Sequence, residues 1–217
     1  MKDIIPPQLR DVSAANLARL KAAAAIPDHP SIKETIPKIA AASDFISCSC
    51  SDADPQLLHD LCANNLLFEQ SSGAALRTRL RQQLNQISRE EQLYATLRHY
   101  RRREAVRIAY RAIAGWASLE DTLAETTDMA EAVIDLTLHW LYAALTERWG
   151  IPRDSEGNAQ QMVVIGMGKL GGRELNFSSD LDLIFAFPNQ GETDGRRSRS
   201  NDEFFVKLSR QLIGALD

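Results

Sequence analysis

Gly166-Met167-Gly168-Lys169-Leu170-Gly171-Gly172-Arg173-Glu174-Leu175-Asn176-Phe177-Ser178-Ser179-Asp180-Leu181-Asp182 is the stretch on which the reading of this chain turns. It follows a β-branched run, Met162 to Ile165, and leads into a second apolar run, Leu181 to Phe187; both are expected as strands. Gly166, Gly168 and Gly171 satisfy the dinucleotide fingerprint literally, but that fingerprint needs a full crossover helix before the next strand. The chain between Gly171 and Leu181 is too short for a crossover of roughly a dozen residues. A Walker A loop fails as well, because Lys169 is followed by Leu170 rather than Ser or Thr.

A metal-dependent nucleotidyl-transfer site fits better. Asp180 and Asp182 stand at alternate positions of a strand and so share a face. Such a pair suits Mg²⁺, a hard cation that takes carboxylate and phosphate oxygens. Gly171 and Gly172 let backbone N–H groups approach a phosphate. Ser178 and Ser179 add hydroxyls, and Lys169 or Arg173 adds positive charge. The plain alternative is a solvated strand edge beside a Gly-Gly turn. Against it, Leu181, Leu183, Phe185 and Phe187 form one strand face and Asp180, Asp182 and Ile184 the other, which sets the carboxylates over a partly buried surface where charge needs a partner.

Outward from this stretch, the chain before about Gly150 reads as helix. Expected segments are Gln8 to Ala25, Ser31 to Ser47 (Ser31 as N-cap with Glu34, Pro37 as a kink or boundary), and Asp54-Pro55 to Asn64. Ser71-Ser72-Gly73 is a turn, followed by long helical tracts Ala74 to Gly115 and Ser118 to Trp149, the latter capped by Ser118 with Asp121. Gly150 to Asn158 is a linker, Asn189 to Ser200 a polar loop, and Asp202 the cap of a last helix. The fold class is therefore mainly α with a C-terminal α/β part, divided as a helical region 1–150 and a nucleotide-handling region 151–217.

The 217 residues carry a net charge of −4 and are 44% hydrophobic and 25% charged, as expected of an ordinary globular chain rather than a disordered or fibrous one. That charge disfavours whole-surface binding to nucleic acid or an anionic membrane. No apolar run is long enough to span a bilayer, and Met1 to Pro7 lacks the apolar core of a signal peptide. Three cysteines argue against a disulfide framework, so the expected compartment is the cytoplasm.

Gly166 to Phe185 closely resembles the signature of the glutamine synthetase adenylyltransferase/adenylyl-removing enzymes, members of the polymerase β-like nucleotidyltransferase superfamily. The similarity extends upstream through Tyr100 to Ala109 and Ala114 to Leu119, and downstream to Asp217. The Asn176-Phe177-Ser178-Ser179 form of the motif is similar to the N-terminal half of that bifunctional family. The resemblance implies Mg²⁺-dependent removal of AMP from a tyrosine of adenylylated glutamine synthetase, with phosphate as the attacking group and ADP as product. It implies Asp180 and Asp182 as metal ligands, Gly171, Gly172 and Ser179 as a phosphate cradle, and the PII signalling protein as a second partner. The superfamily site also uses a third carboxylate on a later strand. No such strand follows Asp182, so the expectation is an N-terminal fragment with an incomplete site.

Other features have simpler readings. Ten arginines against three glutamates between Arg77 and Arg111 suggest either a surface for an acidic partner or nucleotide, or a solvated face opposite the acidic helix of Glu120 to Asp135; the second is favoured. Cys48, Cys50, His59 and Cys62 are possible zinc ligands, but their spacing matches no common module. Trp116, Trp140 and Trp149 read as helical core. A helical module that docks a partner without catalysis, and a nucleotidyltransferase acting on nucleic acid, are the competing functional classes. Net charge and the absence of aromatics within the basic run argue against the last.

Overall fold

A computed structural model describes residues 5–217; the reading of Met1 to Ile4 as part of a leaderless N-terminus lies outside the described residues. The chain is mainly helical and packs as two compact units, each built from two segments: 5–72 with 99–126, and 73–98 with 127–217. The change from helix to strand near Gly150 falls inside the second unit.

The first unit contains α1 (Arg10–Ala22), α2 (Pro30–Ala42), α3 (Asp44–Cys48) and α4 (Leu57–Ala63), with parts of α6 (Glu90–Ala114) and α7 (Leu119–Trp149). Its core gathers Leu20, Ile32, Ile36, Ile39, Ile46, Leu58 and Leu61 around Val106 and Tyr110 of α6. Pro30, not Ser31, opens α2: His29 is the N-cap without a side-chain hydrogen bond, so the expected Ser31–Glu34 capping box does not form. Pro37 lies inside α2 rather than ending it, and the Ser13 hydroxyl donates to the Pro37 carbonyl at 3.0 Å. The helix expected to reach Ser47 stops at Ala42, because Ser43 turns extended and its Oγ accepts from Ile46 N–H to start α3. Pro55 precedes α4 in a turn where Asp54 accepts from Gln56 N–H. The Ser118–Asp121 cap of α7 forms reciprocally, at 3.0 and 3.2 Å.

Four charged side chains enter this core. Arg107 and Glu104 are fully buried and joined at 2.6 Å; Arg107 Nη1 lies 3.1 Å from Glu125 Oε2, though poorly aligned for a hydrogen bond. The other Glu125 oxygen accepts from Ser71 N–H at 2.6 Å, and Arg111 donates to the Leu67 carbonyl at 3.1 Å. The solvated face expected for the arginine run is thus, at Arg107 and Arg111, a buried ionic network. Its logic is the cost of an isolated buried charge, which only close pairing offsets.

The second unit contains α5 (Gly73–Leu84), the rest of α6 and α7, and α9 (Asn201–Leu216), with four short strands and the one-turn α8 (Gly168–Gly171). The tract expected from Ala74 to Gly115 is thus two helices, α5 and α6, broken at 85–89. β2 (Val163–Gly166) pairs antiparallel with β3 (Leu183–Ala186), Val163 opposite Ala186 and Gly166 opposite Leu183. Within the expected linker and loop, β1 (Pro152–Arg153) and β4 (Glu192–Thr193) form a second antiparallel pair. Asp194 ties this pair together, accepting from Ile151 N–H and Arg153 Nε at 2.7 Å each; the Arg153 bond holds the Asp194 carboxyl below the usual range. Ser200, rather than Asp202, caps α9 through Glu203 N–H.

The inner face of the β2–β3 hairpin (Val164, Leu183) packs on Ala130 and Ile134 of α7 with Leu170 and Leu175. The turn that follows β2 is very tight. A Cβ on Gly171 would stand 2.5 Å from the Gly166 carbonyl oxygen, whereas one on Gly172 would meet nothing closer than 3.4 Å. Among the described residues, no helix is long and apolar enough to cross a membrane.

Two outcomes test these readings by urea unfolding. Arg107→Ala should destabilise the chain by about 3–5 kcal/mol, because it strands Glu104 and Glu125 in the core. Gly171→Ala should cost about 1–3 kcal/mol through overpacking against backbone, while Gly172→Ala in the same loop stays close to wild type.

Candidate functional site

β2 ends at Gly166, and Met167 N–H donates to the Asp182 carbonyl at 2.8 Å, continuing the hairpin ladder by one step. Between these points the chain makes α8 and a loop. Asp180 and Asp182 lie just before β3 in extended but irregular backbone, not within the strand as expected. The alternation of the sequence reading holds: Leu181, Leu183, Phe185 and Phe187 are half-buried, while Asp180, Asp182, Ile184 and Ala186 are exposed. The surface beneath the carboxylates is open rather than partly buried, with Val163, Ile165 and Ile184 exposed.

Among the described residues, neither carboxylate has a hydrogen bond or ion pair. Asp182 Oδ2 lies 3.5 Å from where a Cβ on Gly168 would sit, an ordinary contact; what calls for glycine there is the left-handed φ of +54°. Two unpaired carboxylates two residues apart in the chain are of the type that a hard cation takes along with water and phosphate oxygens. No group of three or more His, Cys, Asp or Glu able to hold a metal occurs among the described residues. Asp180 and Asp182 are therefore not part of such a group.

The remaining predicted residues divide. The Gly171 and Gly172 N–H groups donate to the Met167 and Gly168 carbonyls at 3.2 and 2.9 Å, so these glycines give room rather than donors to a phosphate. Lys169 is exposed. Ser178 and Ser179 are organised by Asn176, whose Oδ1 accepts from Ser178 N–H at 3.2 Å and from the Ser179 hydroxyl at 2.7 Å. Asn176 is the residue that sequence reasoning passed over; an Asn two residues before a Ser signals this type of turn. Arg173 points to α7, where it binds Asp128 at 2.6 Å and Glu131 at 2.8 Å. The bond to Asp128 raises the guanidinium above its ordinary pKa.

Behind the hairpin is a cavity of about 520 Å³. It is floored by Ile134, Leu138, Met162 and Val164, with Arg77 and Tyr142 at its margin. Of the predicted site residues, only Gly171 and Arg173 line it. Asp180 and Asp182 do not, so cavity and carboxylates are separate features. In the first unit, His59 Nε2 is 2.9 Å from the Ala24 carbonyl and Cys50 is buried among aliphatic side chains; with Cys48 and Cys62 they form no metal-binding group.

Comparison with known proteins agrees with the motif. The family model for glutamate-ammonia ligase adenylyltransferase matches residues 33–217. Similar proteins include the bifunctional glutamine synthetase adenylyltransferase/adenylyl-removing enzymes of Shewanella loihica (51% identity over 59% of this chain and 14% of the relative) and Shewanella oneidensis (37% over 97% and 21%). The enzyme of Pseudomonas syringae pv. tomato is 40% identical over 96% of this chain and 21% of its own length. The chain thus spans about a fifth or less of these relatives. With the glycine turn, the Asn176 cap and the carboxylate pair all inside the matched region, the chain belongs to the glutamine synthetase adenylyltransferase/adenylyl-removing enzyme family.

Proposed function

We propose that residues 151–217 form the first part of a nucleotidyltransferase domain, and that the chain contributes to removal of AMP from adenylylated glutamine synthetase. The observation that carries this is the unpaired, exposed pair Asp180 and Asp182, the second beside Gly168 of the glycine turn, within a region that matches the family. In the reaction, a phosphate oxygen attacks the AMP phosphorus. The bond from that phosphorus to the tyrosine oxygen breaks, the phenolate takes a proton, and ADP leaves.

Bound Mg²⁺ would offset phosphate charge and favour in-line geometry. This chain's own residues do the rest. Asp180 and Asp182 would hold the metal, Gly168 takes the left-handed backbone of the turn, and Gly171 allows its close approach to the end of β2. Asn176 fixes the Ser178 and Ser179 hydroxyls where a phosphate can use them, and Lys169 supplies positive charge at the margin. In this reading the chain is cytoplasmic, adenylylated glutamine synthetase presents its modified tyrosine at the carboxylates, and the PII signalling protein is a second partner.

Calorimetric titration with ADP in the presence and absence of Mg²⁺ tests the reading, together with mass spectrometry of AMP loss from adenylylated glutamine synthetase in the presence of phosphate. Asp182→Asn should fold normally and lose Mg²⁺-dependent ADP affinity by roughly tenfold or more, since even partners one shell further out are worth that much. Equal binding by wild type and variant would sink the proposal. Binding without AMP loss would mean that two carboxylates hold the nucleotide but do not complete the catalytic set. Partner binding that survives loss of both aspartates would favour a non-catalytic docking module.

A further inference from the structure

Arg173 has φ near +59°, a left-handed conformation that Gly or Asn usually takes after a helix. It follows α8 at that position, and a side chain there is kept only where surroundings over-determine it. The surroundings are Asp128 and Glu131, one turn apart on α7, which receive the two guanidinium nitrogens at 2.6 and 2.8 Å. Asp128 is itself confined: its Oδ2 would lie 3.0 Å from a Cβ on Gly73, the first residue of α5, where the helix dipole favours an anion.

Two further fastenings run from the same stretch of α7 to the same loop. Leu175 N–H donates to Thr127 Oγ1 at 3.3 Å, and Leu170 and Leu175 are buried against Ala130 and Ile134. The loop is thus tied to residues 127–134 before and after Arg173, and the segment leaving this anchorage is Asn176 to Asp182.

We propose that Arg173 is a positioning residue: paired with Asp128 and Glu131, it clamps the glycine loop to α7 and so sets how Asn176, Ser179 and Asp182 are presented, without touching phosphate itself. The identity of the ligand rests on the function proposed above; the clamp does not.

Two measurements on the 217-residue chain separate the two. Hydrogen exchange without ligand should show faster exchange across 168–182 in Arg173→Ala and in Asp128→Asn/Glu131→Gln, with partial recovery in Arg173→Lys. Unchanged exchange in both variants would overturn the clamp whatever the chain binds. Titration with ADP and Mg²⁺ should then show both variants weakened by the same factor, roughly tenfold, and the triple variant no weaker than either. Tighter binding in Asp128→Asn/Glu131→Gln with weaker binding in Arg173→Ala would show Arg173 to be a phosphate contact and overturn the proposal. If wild type binds no ADP, the functional reading falls, and the exchange result alone decides the clamp.

Discussion

At Gly171 the chain passes so close to the end of β2 that a single added carbon would stand 2.5 Å from the Gly166 carbonyl oxygen. The rest of the site's geometry depends on that approach. It folds the connection into one turn of helix, so the next strand returns antiparallel instead of crossing to a parallel position. It spends the Gly171 and Gly172 amides inside that turn. It also brings Met167 N–H to the Asp182 carbonyl, fixing where the second carboxylate emerges. A dinucleotide fold uses glycines at the same spacing for a different end, because there a long helix begins where here it stops.

The chain treats its charges in two ways, and magnitude explains why. Inside the first unit, Arg107 is matched with Glu104 and Glu125, since an uncompensated ion in that core costs several kcal/mol, on the order of the whole stability of a domain. Beside the hairpin, Asp180 and Asp182 are left in water, where even two carboxylates about 4 Å apart repel by only about 1 kcal/mol, so the fold can carry them unpaired. The first arrangement serves folding. The second gives no stability, and in the proposed reading its use is to meet a cation.

Legibility in the sequence followed the range of the forces involved. Local signals were readable: the Ser118–Asp121 cap, the two strands of the hairpin, and the alternation that turns Leu181 and Leu183 inward and Asp182 outward. What depended on partners far along the chain was not. Whether Arg107 faced water or a core was decided by Glu125 on another helix, and the β1–β4 pair arose from residues some forty apart, joined through Asp194. Capping misreadings at Ser31 and Asp202 fell two residues late: Pro30 opens α2 behind His29 as its N-cap, and Ser200 caps α9. At the site, residue types were legible but their duties were not. Gly171 and Gly172 look like amide donors until the short helix claims their N–H groups.

Arg173 is the sharpest case of this, since an arginine in a phosphate-handling motif invites the role of phosphate ligand. Half its side chain is exposed, and so is part of each carboxylate it meets. Ion pairs so placed contribute about 0–1 kcal/mol each, whereas burying Leu170 and Leu175 contributes about 1.5–3 kcal/mol apiece. The leucines therefore supply most of the loop's attachment to α7 and the ion pairs a smaller share of it. What hydrophobic contact does not supply is direction, because it has no preferred angle. A two-pronged guanidinium against carboxylates one helical turn apart does, since its donors lie in a fixed plane. The division of labour is then physical rather than a matter of motif: apolar burial secures the loop, and Arg173 sets the angle at which Asn176, Ser179 and Asp182 leave it.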